Sequence, residues 1–153
     1  MCVGKGLTAG YLTMSAVLTT RDVADTISLG EAGVMMHGPT FMANPLSCAI
    51  ACESIKLLKK QDMASRINHL ESIIKEHLAP AADNPAVREV RVLGTIGVIE
   101  MKEPVNVGEF QKKCVAAGIW VRPFGRNVYI MPPYVISDEQ LITLCDKLVN
   151  LIS

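Results

Sequence analysis

Apolar residues in the second half of the chain recur at helical spacing. Met63, Ile67, Leu70, Ile74 and Leu78 step by four, three, four and four, which stacks them on one helix face. Leu141, Leu144, Leu148 and Ile152 share a face near the C-terminal end. Ser137-Asp138-Glu139-Gln140 before that stripe reads as a capping box, in which the first and last side chains satisfy each other's backbone N–H groups. Asn106-Val107-Gly108-Glu109 predicts another helix start, and Gly118 suits the residue just past its end. Asn44-Pro45 predicts a helix to about Lys60, because asparagine accepts from free N–H groups and proline fits the first turn. A further helix is expected from Gln61, and a short one over Arg21 to Ser28, after a strand ending in Val17-Leu18-Thr19-Thr20.

Between the helices the pattern turns β-like. Val87 to Met101 predicts extended structure, with Gly94 and Gly97 marking a bend or bulge. Ile119 to Arg122 and Asn127 to Met131 predict two short strands around Pro123-Phe124-Gly125. Residues 29–43, rich in Gly, Met and Pro, read as a loop, and 79–85 as a break. Two parts follow. Residues 1–60 resemble a piece of an α/β layer, and 61–153 a compact α+β unit with a small sheet and three helices.

Composition narrows the function classes. The chain has 153 residues, half of them hydrophobic, long enough to bury a core. Fifteen Lys and Arg balance fifteen Asp and Glu, so no net charge attracts nucleic acid or an anionic membrane. The apolar runs fall short of a membrane span. Lys5 and its neighbouring glycines interrupt any apolar leader, and a cytoplasmic location is expected. Of the five cysteines, Cys48 and Cys52 share a helix face, but no further metal ligands lie nearby in sequence. All five read as small buried hydrophobes.

The opening Met1-Cys2-Val3-Gly4-Lys5-Gly6-Leu7-Thr8-Ala9-Gly10 holds a lysine between glycines. The Walker phosphate loop is excluded, because its glycine and lysine spacing is not met. A solvated surface lysine remains open, as does a lysine that attacks an aldehyde. The latter needs a neutral amine, favoured by partial desolvation, and small neighbours that admit a ring and allow unusual dihedrals. Spacing alone does not choose between them.

Three segments go further. CVGKGLTAGYLTMSAVLTT (2–20) resembles the active-site lysine segment of class III, fold type I aminotransferases, enzymes that use pyridoxal 5′-phosphate. MHGPTFMANPLSCAIA (36–51) resembles that class's later HG-[ST]-TF-x-x-NPL-x-C-A motif, and GIWVRPFGRNVYIMPPYVIS (118–137) its C-terminal motif. The order is the family's. The resemblance implies the end of a large α/β cofactor-binding domain over 1–60 and a small α+β C-terminal domain over 61–153. Pro39, where many members carry serine, and the run RPFGRNVYIMPPY are similar to members that act in biotin synthesis. That implies S-adenosylmethionine as amino donor and 8-amino-7-oxononanoate as acceptor. Another ω-amino substrate, ornithine, or a non-enzymatic remnant are the alternatives.

By the same resemblance, Lys5 would carry the cofactor as a Schiff base and move a proton during transfer. Thr40 would bind the cofactor phosphate across a homodimer interface. Gly38 and Pro39 would line the substrate channel. Arg122 would pair with the substrate carboxylate through two parallel donors, and Tyr129 would add a hydroxyl near the substrate. Trp120 and Phe124 read as core, His37 as structural or pocket-lining, and His69 and His77 as inert on the solvent side of a helix. The family's aspartate for the pyridine nitrogen, its phosphate loop and its ring-stacking aromatic have no counterpart before Lys5. The expectation is a truncated form, inactive alone, with sheet edges and apolar faces exposed.

Overall fold

The computed structural model describes residues 1–31, 33, 34 and 36–152. Two compact units result, Met1–Gln61 and a second from Asp62 onward. Each is described by itself.

The first unit has little sheet. Strand β1 (Cys2–Val3) pairs antiparallel with β2 (Ala16–Val17), in register Cys2 with Val17 and Val3 with Ala16. The expected strand therefore ends at Val17, although the Leu18 amide still donates to the Met1 carbonyl at 2.8 Å. Helix α1 spans Arg21–Leu29 and α2 spans Pro45–Lys60. The α2 start follows its sequence signal: the Asn44 side chain accepts from the Ser47 amide at 3.1 Å, with Pro45 in the first turn. Large apolar side chains stay exposed in this unit, among them Leu29, Met36, Phe41 and Tyr11.

The second unit is built on a three-stranded antiparallel sheet in the order β3 (Val87–Leu93), β4 (Ile96–Met101), β5 (Asn127–Ile130). Helix α3 (Met63–Leu78) packs on β3 and β4 and against α5 (Asp138–Ile152), which also meets α4 (Val107–Ala116). The two helical stripes supply the core: Leu70, Ile74, Leu78, Leu141 and Leu148 are fully buried with Ile99 and Val128 of the sheet. The capping box at Ser137 is reciprocal. The Gln140 amide donates to Ser137 Oγ at 3.2 Å, and the Ser137 amide donates to Gln140 Oε1 at 3.3 Å. Asn106 caps α4 by accepting from the Glu109 amide, and Gly118 follows that helix at φ +74°.

Several expectations are corrected. Helix α3 does not start at Gln61, which ends α2; Asp62 is its cap, accepting from the Ser65 amide. The break at 79–85 contains a short 3-10 helix over Ala79–Asp83. Gly94, at φ +56°, makes the hairpin turn, while the register irregularity lies between Val87 and Glu89. Gly97 serves neither bend nor bulge. It lies within β4 where α3 comes closest: a Cβ there would sit 2.6 Å from Ile74 Cγ2 and 2.7 Å from Leu78 Cδ1.

Residues 119–122 form no strand. They are nevertheless part of an alternating run, with Val121 and Pro123 buried and Trp120, Arg122 and Phe124 exposed. Trp120 is 71% exposed and Phe124 77%, so neither is core in this unit. Counting aromatics as apolar assigned them inward; the alternation spends its inward positions on valine and proline. Cys114 and Cys145 are buried, and burial pushes the Cys145 thiol up to about 12, but Cys2 and Cys52 are exposed. His69 and His77 are not inert. His69 Nε2 lies 2.7 Å from Asp138 Oδ2, and His77 Nδ1 2.8 Å from Asp146 Oδ1, tying α3 to α5.

Gly97→Ala is expected to destabilise the second unit by about 1–3 kcal/mol, because two core side chains must leave their positions; a lowered urea midpoint checks it. A second expectation concerns acid. His69, and then Arg66, hold the Asp138 carboxyl below its ordinary range. A depressed carboxylate contributes stability above its unfolded value, and that contribution is lost as pH falls through the folded one. Urea midpoints measured from about pH 5 to about pH 2 should decline, and Asp138→Asn should flatten part of that decline.

Candidate active site

The lysine sits at the end of β1 in an unusual backbone. Gly4 is extended, at φ −168° and ψ −155°, a conformation that any residue adopts. The next residue, Lys5 itself, is left-handed at φ +47°. For an L-residue that region costs about 1–2 kcal/mol. The sequence reading placed the unusual dihedrals on the flanking glycines; the structure places one on the lysine. The glycines supply room instead. A Cβ on Gly6 would meet nothing within 4 Å, and one on Gly4 would be in ordinary contact with Ser15 Cβ at 3.5 Å.

From Lys5 the chain makes one 3-10 turn, Lys5–Thr8, closed by the Leu7 amide on the Gly4 carbonyl and the Ala9 amide on the Gly6 carbonyl. The Thr8 side chain is fully buried, and its hydroxyl donates to the Leu12 carbonyl. Residues 37–43 lie opposite. Their turn is fixed by the Met42 amide on the Pro39 carbonyl at 2.8 Å and the Asn44 amide on the Phe41 carbonyl at 3.2 Å. Between the two segments lies a cleft of about 400 Å³, whose walls include Lys5, Thr13, Ser15, His37, Pro39 and Asn44.

The structure thus brings Lys5 and Pro39 together, with His37 as a pocket-lining residue. Thr40 and Gly38 are exposed on the same loop and do not form the cleft wall. Lys5 is itself exposed, so the partial desolvation expected of an aldehyde-attacking lysine is not present in this unit. Arg122 and Tyr129 belong to the second unit. Arg122 is exposed between Trp120 and Phe124 on the outward side of the alternating run. Tyr129 lies on β5 between the buried Val128 and Ile130, hence on the sheet face away from the core. Asn44 and the hydroxyls of Thr13 and Ser15 escaped the sequence reading as cleft residues. Asn44 carried a helix-cap signal that could have placed it there, but the other two carried none.

The chemistry of this wall suits an anionic aldehyde. Its polar groups are an amine, hydroxyls, an imidazole and an amide, all able to donate, and none of the described wall residues is Asp or Glu. Comparisons with known proteins identify the family. The model of the family "Aminotransferase class-III" matches residues 1–152. The chain belongs to the class III aminotransferases. Members of this family depend on pyridoxal 5′-phosphate, and the fold is theirs, mixed helix and strand. The adenosylmethionine-8-amino-7-oxononanoate aminotransferase of Buchnera aphidicola subsp. Acyrthosiphon pisum is 45% identical over the whole chain, which covers 35% of that relative. The crystal structure of the enzyme of that name from Methanocaldococcus jannaschii superimposes with a TM-score of 0.84 at 32% identity, over 99% of this chain and 37% of that one. The ornithine aminotransferase of Toxoplasma gondii, crystallised with partial occupancy of the cofactor, superimposes with a TM-score of 0.82 at 30% identity, over 99% and 36%. The chain spans about a third of the length of these class III proteins.

Asn44 is the member of the wall whose role is simplest to test. Removing its cap with Asn44→Ala should cost the start of α2 about 1 kcal/mol. Amide exchange at Ser47 and Cys48, followed by mass spectrometry or NMR, should then quicken about fivefold.

Proposed function

We propose that these residues serve an aminotransferase of biotin synthesis, passing an amino group from S-adenosylmethionine to 8-amino-7-oxononanoate to give 7,8-diaminononanoate. The observation that carries this reading is Lys5: a lysine held in the left-handed region on the wall of a cleft whose described polar residues can all donate and include no carboxylate. Backbone in such a region persists only where its surroundings over-determine it, and such positions cluster at functional sites. The 45% identity over the full chain supports this substrate pair over ornithine, since the ornithine enzyme shares the fold at 30%.

Bound pyridoxal phosphate supplies the electrophilic aldehyde and an electron sink for the substrate's Cα–H bond. The chain's own residues supply the rest of what is proposed here. Lys5 offers its Nζ as the covalent attachment point and, once free, takes and returns the proton at the substrate carbon. Ser15 and Thr13 offer hydroxyls beside it, and Pro39 with Gly38 shapes the entrance. Thr40, exposed and outside the cleft of its own unit, would serve the phosphate of a second copy in a homodimer. In the second unit, Arg122 binds the acceptor's carboxylate through paired N–H donors, with Tyr129 adding a hydroxyl. The first unit is proposed as the end of the large cofactor-binding domain, and the second as the small C-terminal domain.

The test reduces pyridoxal phosphate onto the protein with borohydride and maps the adduct by digestion and mass spectrometry. Lys5 is expected to carry it. An adduct confined to Lys59 or Lys60 sinks the proposal. In the protein as the cell makes it, amino transfer from S-adenosylmethionine is expected and should be abolished by Lys5→Ala; transfer from ornithine alone would select the other substrate reading.

A further inference from the structure

Thr8 is the one buried polar side chain in the turn that carries Lys5. It is fully inaccessible, although the turn around it lies at the surface and both Lys5 and Gly6 are exposed. A hydroxyl is not needed to fill that space, since valine has nearly the same shape. What valine lacks is the bond that Thr8 Oγ1 donates to the Leu12 carbonyl. The same residue's carbonyl accepts from the Tyr11 amide at 3.0 Å. Thr8 therefore joins the 3-10 turn to the segment 11–12 at both its side chain and its backbone.

That junction matters because of what lies three residues earlier. Lys5 at φ +47° returns to ordinary backbone unless something holds it. Before Thr8's own links to residues 11 and 12, the described backbone bonds of the turn are two, Leu7 to Gly4 and Ala9 to Gly6, and Ala9 is itself left-handed at φ +51°. A turn with two strained L-residues and two short-range bonds does not over-determine its own shape. The buried hydroxyl adds a bond that a relaxed turn would leave unsatisfied, and an unmade buried hydrogen bond is unfavourable. Returning Lys5 to an ordinary φ would swing the chain after it and pull Thr8 off Leu12.

We propose that Thr8 is a positioning residue: its buried hydroxyl, bonded to the Leu12 carbonyl, holds Lys5 in the strained backbone that aims its amine into the cleft. The inference rests on the reading of Lys5 as the cofactor-linking lysine. Thr8 touches neither cofactor nor substrate and acts through Lys5.

The experiment compares Thr8→Val, which keeps the shape and loses the donor, with Thr8→Ser, which keeps the donor. Apoprotein is exposed briefly to pyridoxal phosphate, reduced with borohydride and digested. The adduct at Lys5 is then read as a ratio to those at Lys59 and Lys60, which lie at the far end of α2. Thr8→Val should lower the ratio about fivefold, the scale of one lost buried hydrogen bond, and Thr8→Ser should restore it to within about twofold of the parent. Amide exchange at Ala9 and Tyr11 should quicken in Thr8→Val alone. If circular dichroism shows Thr8→Val to be unfolded, Thr8→Ala carries the comparison. A parent protein that labels Lys5 no more than Lys59 overturns the reading of Lys5. A parent that labels Lys5 selectively, with a Thr8→Val ratio unchanged, overturns the role of Thr8 and leaves that of Lys5 standing. Loss of the ratio in Thr8→Val and Thr8→Ser alike also overturns it, since a hydroxyl at this position would then not be enough to hold the turn.

Discussion

The first unit depends on how one residue ends a loop. Asn44 donates its backbone N–H to Phe41, accepts from Ser47 with its side chain, and accepts from Cys48 with its carbonyl. The first bond closes the turn behind Pro39, and the other two open α2. A helix start leaves its first N–H groups without partners, so it demands such a residue. Here the demand also fixes where the preceding loop must stop. His37 and Pro39 consequently lie across from Lys5 rather than along the surface. The cleft is a by-product of capping, which is why the one signal that bears on it, Asn44-Pro45, reads in the sequence only as a helix start.

In the second unit the corresponding constraint is an absence of side chain. Gly97 lets α3 settle onto β4 with Ile74 and Leu78 against its backbone. Fully buried residues of α5 then complete the layer, and the histidine–aspartate pairs join the two helices at their rims. These exposed pairs add little beside the apolar core. They do set the kind of sensitivity: Asp138, held low by His69 and Arg66, ties part of the stability to pH, while the packing against Gly97 responds to volume.

Helices were legible because their information is local and redundant. The stripe at Met63 to Leu78 and the caps at Asn44, Asn106 and Ser137 each required only a few neighbouring residues. What escaped required knowing the partner. Strand pairing at 119–122 is not written in those residues, because no neighbouring strand pairs with them. Their extended backbone survives as alternation, and that alternation turned Trp120 and Phe124 outward against their apolar character. His69 and His77 looked solvated because Asp138 and Asp146 lie 69 residues away in sequence. The motifs around Lys5, Thr40 and Arg122 were legible as family resemblance, and the matching family model covers all three. Their geometry was not: nothing in GKG told that the lysine, and not a glycine, would take the positive φ.

That last point separates the chemistry these residues can bring from the chemistry they must receive. A strained lysine among hydroxyls and amides can hold an anionic aldehyde, since every described polar group on the wall can donate. The same wall has no carboxylate among its described residues. A pyridine ring is a strong electron sink while its nitrogen keeps a proton, and a carboxylate beside that nitrogen would secure the proton. On the proposed reading, the described wall around Lys5 would provide attachment and proton movement but not the charge that makes the ring a strong sink. By this division, covalent capture at Lys5 and full amino transfer are separable properties. On the proposed reading, the first would need the lysine and donors of this wall, and the second a carboxylate at the ring nitrogen as well.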